Sequence, residues 1–142
     1  MDRILMLEGP NLNLVGTREP HVYGREGIEH FLPEWRERCA AAGVLLEHQQ
    51  SNHEGVLIDA LHAARTTCRG VVLNPGGYTH TSVALRDAVA AIAIPVVEVH
   101  LSNIYAREEF RRVSLLSDVC VAVISGLGYR GYAAALDHLI HR

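Results

Sequence analysis

The chain reads as an α/β protein with a doubly wound parallel sheet, and two observations lead there. Five short apolar runs recur along 142 residues, and the later three are rich in β-branched residues, as strands buried on both faces are. Segments with apolar residues at helical spacing separate these runs. A chain of this length makes one domain, residues 1–142, with a single core. The simplest assembly is a five-stranded parallel sheet in the order 2-1-3-4-5 with helices on both faces, the flavodoxin-like arrangement.

The elements follow in order. Ile4 to Leu7 is the first strand, and a long loop, "EGPNLNLVGTREPHVYG", comes after it. Ile28, Phe31, Leu32, Trp35 and Cys39 then mark a helix, in which Pro33 is tolerated only in the opening turn or at a kink. Val44 to Leu46 is the second strand, and Val56, Ile58, Leu61 and Ala64 outline the next helix. Val71 to Leu73 is the third strand, followed by a helix carrying Val83, Leu85, Ala88, Val89 and Ile92. Val96 to Val99 and Val119 to Ile124 are the last two strands. Tyr132, Ala135, Leu136 and Leu139 give the final helix its apolar face.

Composition narrows the chemistry. A net charge of −3 gives no pull toward nucleic acid or anionic membrane. No run is long enough to span a bilayer and no signal peptide is evident, so a cytoplasmic protein is expected. Cys39, Cys68 and Cys120 form no CxxC pair, which argues against a disulfide framework or a zinc site. All thirteen basic residues are arginine. Without lysine, neither an imine nor a phosphate-loop lysine is available.

Ligands of such sheets bind outside the carboxyl ends of the strands, and three loops there carry unusual chemistry. In "NPGGYTHTS", Gly76 and Gly77 allow backbone amides to approach a ligand, and Thr79, Thr81 or Ser82 is placed to cap the next helix. A capped turn alone explains Asn74 and His80 less well. In "EVHLSN", alternation turns Glu98 and His100 to one side, where the carboxylate can orient the imidazole. Arg107 and Arg111 follow at i and i+4, as one helix face suited to a carboxylate; pairing with Glu108 and Glu109 in solvent is the plainer alternative. In the opening loop, Tyr23 shares a segment with Arg18 between Gly16 and Gly24. A phenol is a poor base at neutral pH unless a cation lowers its pKa by about 1 to 3 units.

Two signals carry less. "GLGYRG", Gly126 to Gly131, matches a dinucleotide fingerprint, but no further strand and ribose-binding acid follow it, so a tight turn with close helix packing is expected. His138 and His141 lie in a last helical turn, where basic groups favour the helix dipole. A flavin carrier would need a hydroxyl-rich loop in place of "GPNLNL", and a receiver domain would need clustered acids and a lysine. Those rivals, non-catalytic small-molecule or nucleotide binding modules, rest on fold analogy.

Five blocks in order, "GPNLNLVGTREPHVYG", "SNHEGVLIDALH", "NPGGYTHTSVALRDA", "VEVHLSN" with "AREEFR", and "GLGYRGYAAAL", resemble the type II 3-dehydroquinate dehydratases over nearly the whole chain. The resemblance implies anti elimination of water from 3-dehydroquinate through an enolate, with no cofactor and no metal, in a homododecamer built from trimers. By matching position it implies Tyr23 as base, His100 as acid, Arg18 as the residue activating the tyrosine, and Asn11 at the enolate through a water. Asn74, Gly76, Gly77, His80, Leu101, Ser102 and Arg111 match substrate-binding positions, with the backbone of Leu101 and Ser102 on the carboxylate. Asp87 matches an acid supplied across a subunit interface, and Glu98 and Arg107 match supporting polar positions. The sequence departs from the family pattern at Tyr105, Val113 and Leu115.

Overall fold

A computed structural model describes residues 2–17, 21 and 26–142. Five strands, β1 (Asp2–Glu8), β2 (Val44–Gln50), β3 (Gly70–Asn74), β4 (Val96–His100) and β5 (Ala122–Ser125), form one all-parallel sheet in the order β2-β1-β3-β4-β5. Four α-helices of the described residues cover it: α1 (Leu32–Ala41), α2 (Glu54–Thr67), α3 (Val83–Ile92) and α4 (Arg130–His141). The fold class and strand order are those the sequence predicts. No helix among the described residues is long and apolar enough to cross a membrane.

Alternation along the strands divides the core into two layers. Ile4, Met6, Val72, Val97 and Val99 meet Trp35, Tyr132, Ala135 and Leu136 on the α1/α4 face. Leu5, Leu7, Val71, Leu73 and Val96 meet Leu57, Leu61, Leu85 and Val89 on the α2/α3 face. The inner strands β3 and β4 are buried at every residue, while β2 and β5 at the edges are only partly covered. This is why the inner strands read as continuous apolar runs.

Local chemistry sets the helix ends. Pro33 lies in the first turn of α1, where its missing N–H costs no helical bond. Ser82 caps α3 by accepting the Leu85 N–H at 2.9 Å. At Gly131 a methyl group would come within 3.1 Å of Val99 Cγ1 and 3.2 Å of Ile124 Cγ2, so α4 lies close enough to the sheet that an alanine would press on both side chains. That packing accounts for the second half of "GLGYRG".

The sequence reading needs three corrections. β5 begins at Ala122 and not at Val119, because Ser117–Val119 closes a 3-10 turn before the strand. On α2 the buried stripe is Leu57, Leu61 and Ala64, and Val56 is exposed. The segment around Arg107 and Arg111 is not one helix: 3-10 turns at Ile104–Ala106 and Glu109–Arg111 are separated by extended backbone at Arg107.

The register brings polar residues together at the carboxyl ends. Glu8 lies beside Asn74, Leu73 beside Glu98, and His100 beside Ser125.

Candidate active site

A cavity opens at the ends of β1, β3 and β4, lined by Asn11, Asn74, Gly76, Gly77, His80, His100, Leu101, Ser102, Arg107 and Arg111. Among the described residues its volume is about 110 Å³, below the ~300–1,000 Å³ of sites for drug-sized ligands. It suits a compact polar molecule better than a nucleotide. Glu98 stands behind His100, and Asp87 is exposed on α3 and does not line the cavity. Tyr23 and Arg18 lie outside the described residues, as does Gly24.

The wall from β4 is a histidine and carboxylate pair in a hydroxyl cradle. His100 Nε2 is 2.5 Å from Glu98 Oε2, so the carboxylate accepts the Nε2 proton. Thr79 Oγ1 donates to Glu98 Oε2 at 2.8 Å, Ser117 Oγ to Oε1 at 3.0 Å, and Ser114 Oγ reaches both oxygens at 2.9 and 3.0 Å. Burial pushes the Glu98 carboxyl up, but His100, Thr79 and Ser114 outweigh it and hold the group below its ordinary value. The ion beside His100 is therefore a carboxylate at neutral pH, and it fixes the ring's orientation.

The floor is set by two asparagines. Asn11 adopts the left-handed conformation, φ 69°, which asparagine tolerates better than most residues. Its N–H donates to Asn52 Oδ1 at 3.0 Å, and Gln50 Nε2 ties the same Asn52 oxygen to the Gly9 carbonyl. Asn74 Oδ1 accepts the Gly76 N–H at 3.1 Å. Gly76 has φ 60°, and a methyl there would meet the Pro10 carbonyl at 3.0 Å, so glycine is required for conformation and space alike.

A second part of the lining is cationic. Arg111 Nε donates to Glu108 Oε2 at 2.6 Å, and Arg107 Nε lies 3.8 Å from that oxygen. Arg107 also donates to Ser102 Oγ at 3.3 Å. The Glu108 N–H and the adjacent Arg111 hold the Glu108 carboxyl below its ordinary value. The two arginines thus converge from separate turns and share an internal counter-ion. His80 Nδ1 donates to the Val113 carbonyl at 2.8 Å. Burial lowers the His80 pKa, with His100 and Arg111 adding to the shift against the Val113 bond. His80 is neutral near pH 7, and Nε2 is its acceptor.

Some residues of the site escape sequence reasoning. Ser114 and Ser117 lie 16 and 19 positions from Glu98, beyond any local periodicity. Gln50 ends the edge strand β2 and Asn52 follows it in a loop, in a polar stretch that shows no apolar pattern. Thr79 reads as a possible cap, and only its burial against Glu98 shows otherwise. None of the three cysteines lines the cavity, and burial raises all three thiols, Cys120 to about 12.

Comparison with known proteins gives the same outline from another direction. The family described as dehydroquinase class II matches residues 2–140. A 3-dehydroquinate dehydratase 1 of Ralstonia nicotianae is 54% identical over 138 residues, covering 96% of this chain and 88% of that protein. A catabolic 3-dehydroquinase 2 of Aspergillus flavus is 53% identical over 140 residues, 99% of this chain and 93% of the relative. The crystal structure of a type II dehydroquinase from Butyrivibrio crossotus superposes with a TM-score of 0.93 at 44% identity, covering 97% of each chain.

Proposed function

This chain belongs to the class II dehydroquinase family, and from that premise we propose that it dehydrates 3-dehydroquinate to 3-dehydroshikimate. The observation that carries the reading is the convergence of the His100–Glu98 pair and of Arg107 and Arg111 on one small cavity at the strand ends. A proton donor and a carboxylate receptor then act on the same compact molecule.

In this mechanism the substrate carboxylate sits on Arg111 and on the amides of Leu101 and Ser102. The carbonyls of those two residues already accept from Gly128 N–H at 2.9 Å and Ser125 Oγ at 3.1 Å. The Tyr23 phenolate, stabilised by Arg18, takes the C2 proton, and the electron pair moves onto the C3 oxygen as an enolate. With no lysine in the chain, hydrogen bonds from the Asn11 region carry that charge. The enolate collapses, the C1–O bond breaks, and the departing hydroxyl takes a proton from His100 to leave as water. Because Glu98 holds Nε2, the proton given to the cavity is the one on Nδ1. No metal or organic cofactor enters these steps.

Asp87 supports assembly, since it is exposed and off its own cavity. In the proposed dodecamer it serves a neighbouring subunit, so dilution that dissociates the oligomer should abolish activity. A fully active monomer contradicts this part.

The experiment for the whole reading is absorbance of the conjugated enone formed from 3-dehydroquinate. No signal at high enzyme concentration would overturn it. The tyrosine assignment is tested by Tyr23→Phe, expected to lower kcat by about 10²-fold or more while changing analogue affinity much less. Retained turnover removes Tyr23 from the mechanism.

A further inference from the structure

The elimination makes no use of Glu8, yet this carboxylate is 1% exposed at the end of β1. Both of its oxygens are engaged. Tyr132 Oη donates to Oε2 at 2.6 Å, and His48 Nε2 lies 2.8 Å from Oε1. Tyr132 is itself fully buried and accepts from Asn74 Nδ2 at 2.9 Å. Asn74 Oδ1 closes the chain on the Gly76 N–H at 3.1 Å.

The direction of every proton in this chain is fixed by its ends. A backbone N–H only donates, so the Asn74 oxygen faces Gly76 and the amide nitrogen faces Tyr132. That nitrogen only donates, so the Tyr132 hydroxyl accepts there and must give its single proton onward. Burial, with Glu8 beside it, raises the Tyr132 phenol well above its usual value, which keeps that proton in place. An acceptor is therefore required at residue 8.

Stability alone does not account for this arrangement. Exchanging a buried ionic or polar cluster for well-packed apolar groups is often neutral or stabilising. What an apolar exchange would lose is the orientation of Asn74, whose side chain lines the cavity, and of the Gly76 turn beside it.

We infer that Glu8, acting through Tyr132, is a positioning residue that fixes the Asn74 amide and the Gly76 turn for substrate binding. The inference rests on the reading of the cavity as the 3-dehydroquinate site. His48, on the edge strand β2, closes the far end of the relay and holds the second carboxylate oxygen away from other partners.

The test is a double-mutant cycle on enone formation, measured on protein that keeps the parent's circular dichroism and oligomeric state. Tyr132→Phe keeps the ring and removes the hydroxyl, and should lower kcat/KM about tenfold through KM, because Asn74 loses its acceptor. In an Asn74→Ala background the same change should cost at most about twofold more, since a residue acting through another has nothing left to act on. Glu8→Gln retains an oxygen for Tyr132 and should stay within about threefold of the parent. Glu8→Leu should match Tyr132→Phe and replaces it if that variant does not fold. Losses that multiply in the double variant overturn the inference, as does a Tyr132→Phe enzyme within twofold of the parent. So does a Glu8→Gln enzyme as impaired as Glu8→Leu. Parent enzyme that forms no enone refutes the functional reading instead, so the two failures are told apart.

Discussion

On the strand-end wall of the cavity, Glu98 and His100 keep 0% and 5% of their side chains in solvent and are bonded to one another and to neighbouring hydroxyls. In the cationic part of the lining, Arg107 and Arg111 keep 17% and 23% and share the half-exposed Glu108. The first wall is finished before any ligand arrives, because its charge already has acceptors and donors in place. The second holds its charge in reserve on a carboxylate that an incoming anion must outcompete. Groups that perform proton transfer need fixed geometry, whereas groups that capture an anion need accessible charge, and the two demands call for different burial.

Removing the charge of the buried wall should have the largest effect. Glu98→Gln is expected to lower kcat by about 10²- to 10⁴-fold, the scale for losing the carboxylate that orients a catalytic histidine, with smaller change in KM. A kcat within threefold would place His100 outside the chemistry. The substitution also has a pH signature. The Glu98 carboxyl is held below its ordinary value, so its contribution to stability is present above the ordinary carboxylate pKa and is lost as pH falls through the lower folded value. The difference in urea midpoint between parent and Glu98→Gln should therefore shrink on acidification.

Next in size is the cationic wall. Arg111→Ala should cost about 2 to 3 kcal/mol in kcat/KM, the lower part of the range for truncating one partner of a charge pair, since part of the side chain is solvated. The loss should fall mainly in KM. Near-normal kinetics would assign Arg111 to the surface and dissolve the contrast between the walls.

A smaller effect is expected from the cradle. Ser114→Ala removes the one hydroxyl donor that the two Glu98 oxygens share and should cost about 1 to 2 kcal/mol of stability, read from denaturant unfolding. An unchanged midpoint would mean that water replaces the hydroxyl.

The smallest effect separates the walls most cleanly. Glu108→Gln frees the arginines from their internal counter-ion and should lower KM by a few-fold at low salt, the small effect expected of an exposed pair. The gain should fade as salt is raised. A higher KM would show that Glu108 positions the arginines and does not compete for them.

The sheet was legible because burial imposes a pattern that sequence carries. Val71 to Leu73, and Val96, Val97 and Val99, are apolar because both faces of these strands are covered. Glu98 and His100 interrupt that pattern two residues apart, which is how the strand-end wall of the cavity shows in a string of letters. The start of β5 was not legible, because Val119 and Val121 are as apolar as the strand and only the 3-10 closure at Ser117–Val119 separates them. The arginine pair was found by spacing but not by geometry: i and i+4 suggests one helical face, yet extended backbone at Arg107 breaks it. The hydroxyls around Glu98 and the acceptor chain behind Asn74 are contacts between distant segments, and no local period encodes them.

The alternation of β4 has a consequence for how such a gene can vary. Val97 and Val99 face α1 and α4, while Val96 shares the other layer, and Glu98 and His100 follow its side. A one-residue deletion within this strand shifts its period by half a cycle. It would turn the carboxylate and imidazole toward Ala135 and Leu136 and send valines to the cavity. Point changes at Val97 or Val99 alter only packing, so in β4 the reading frame of the pleat is guarded more strictly than any single letter. An inserted or deleted residue in a loop leaves that frame intact, whereas one inside β4 displaces the histidine and carboxylate together.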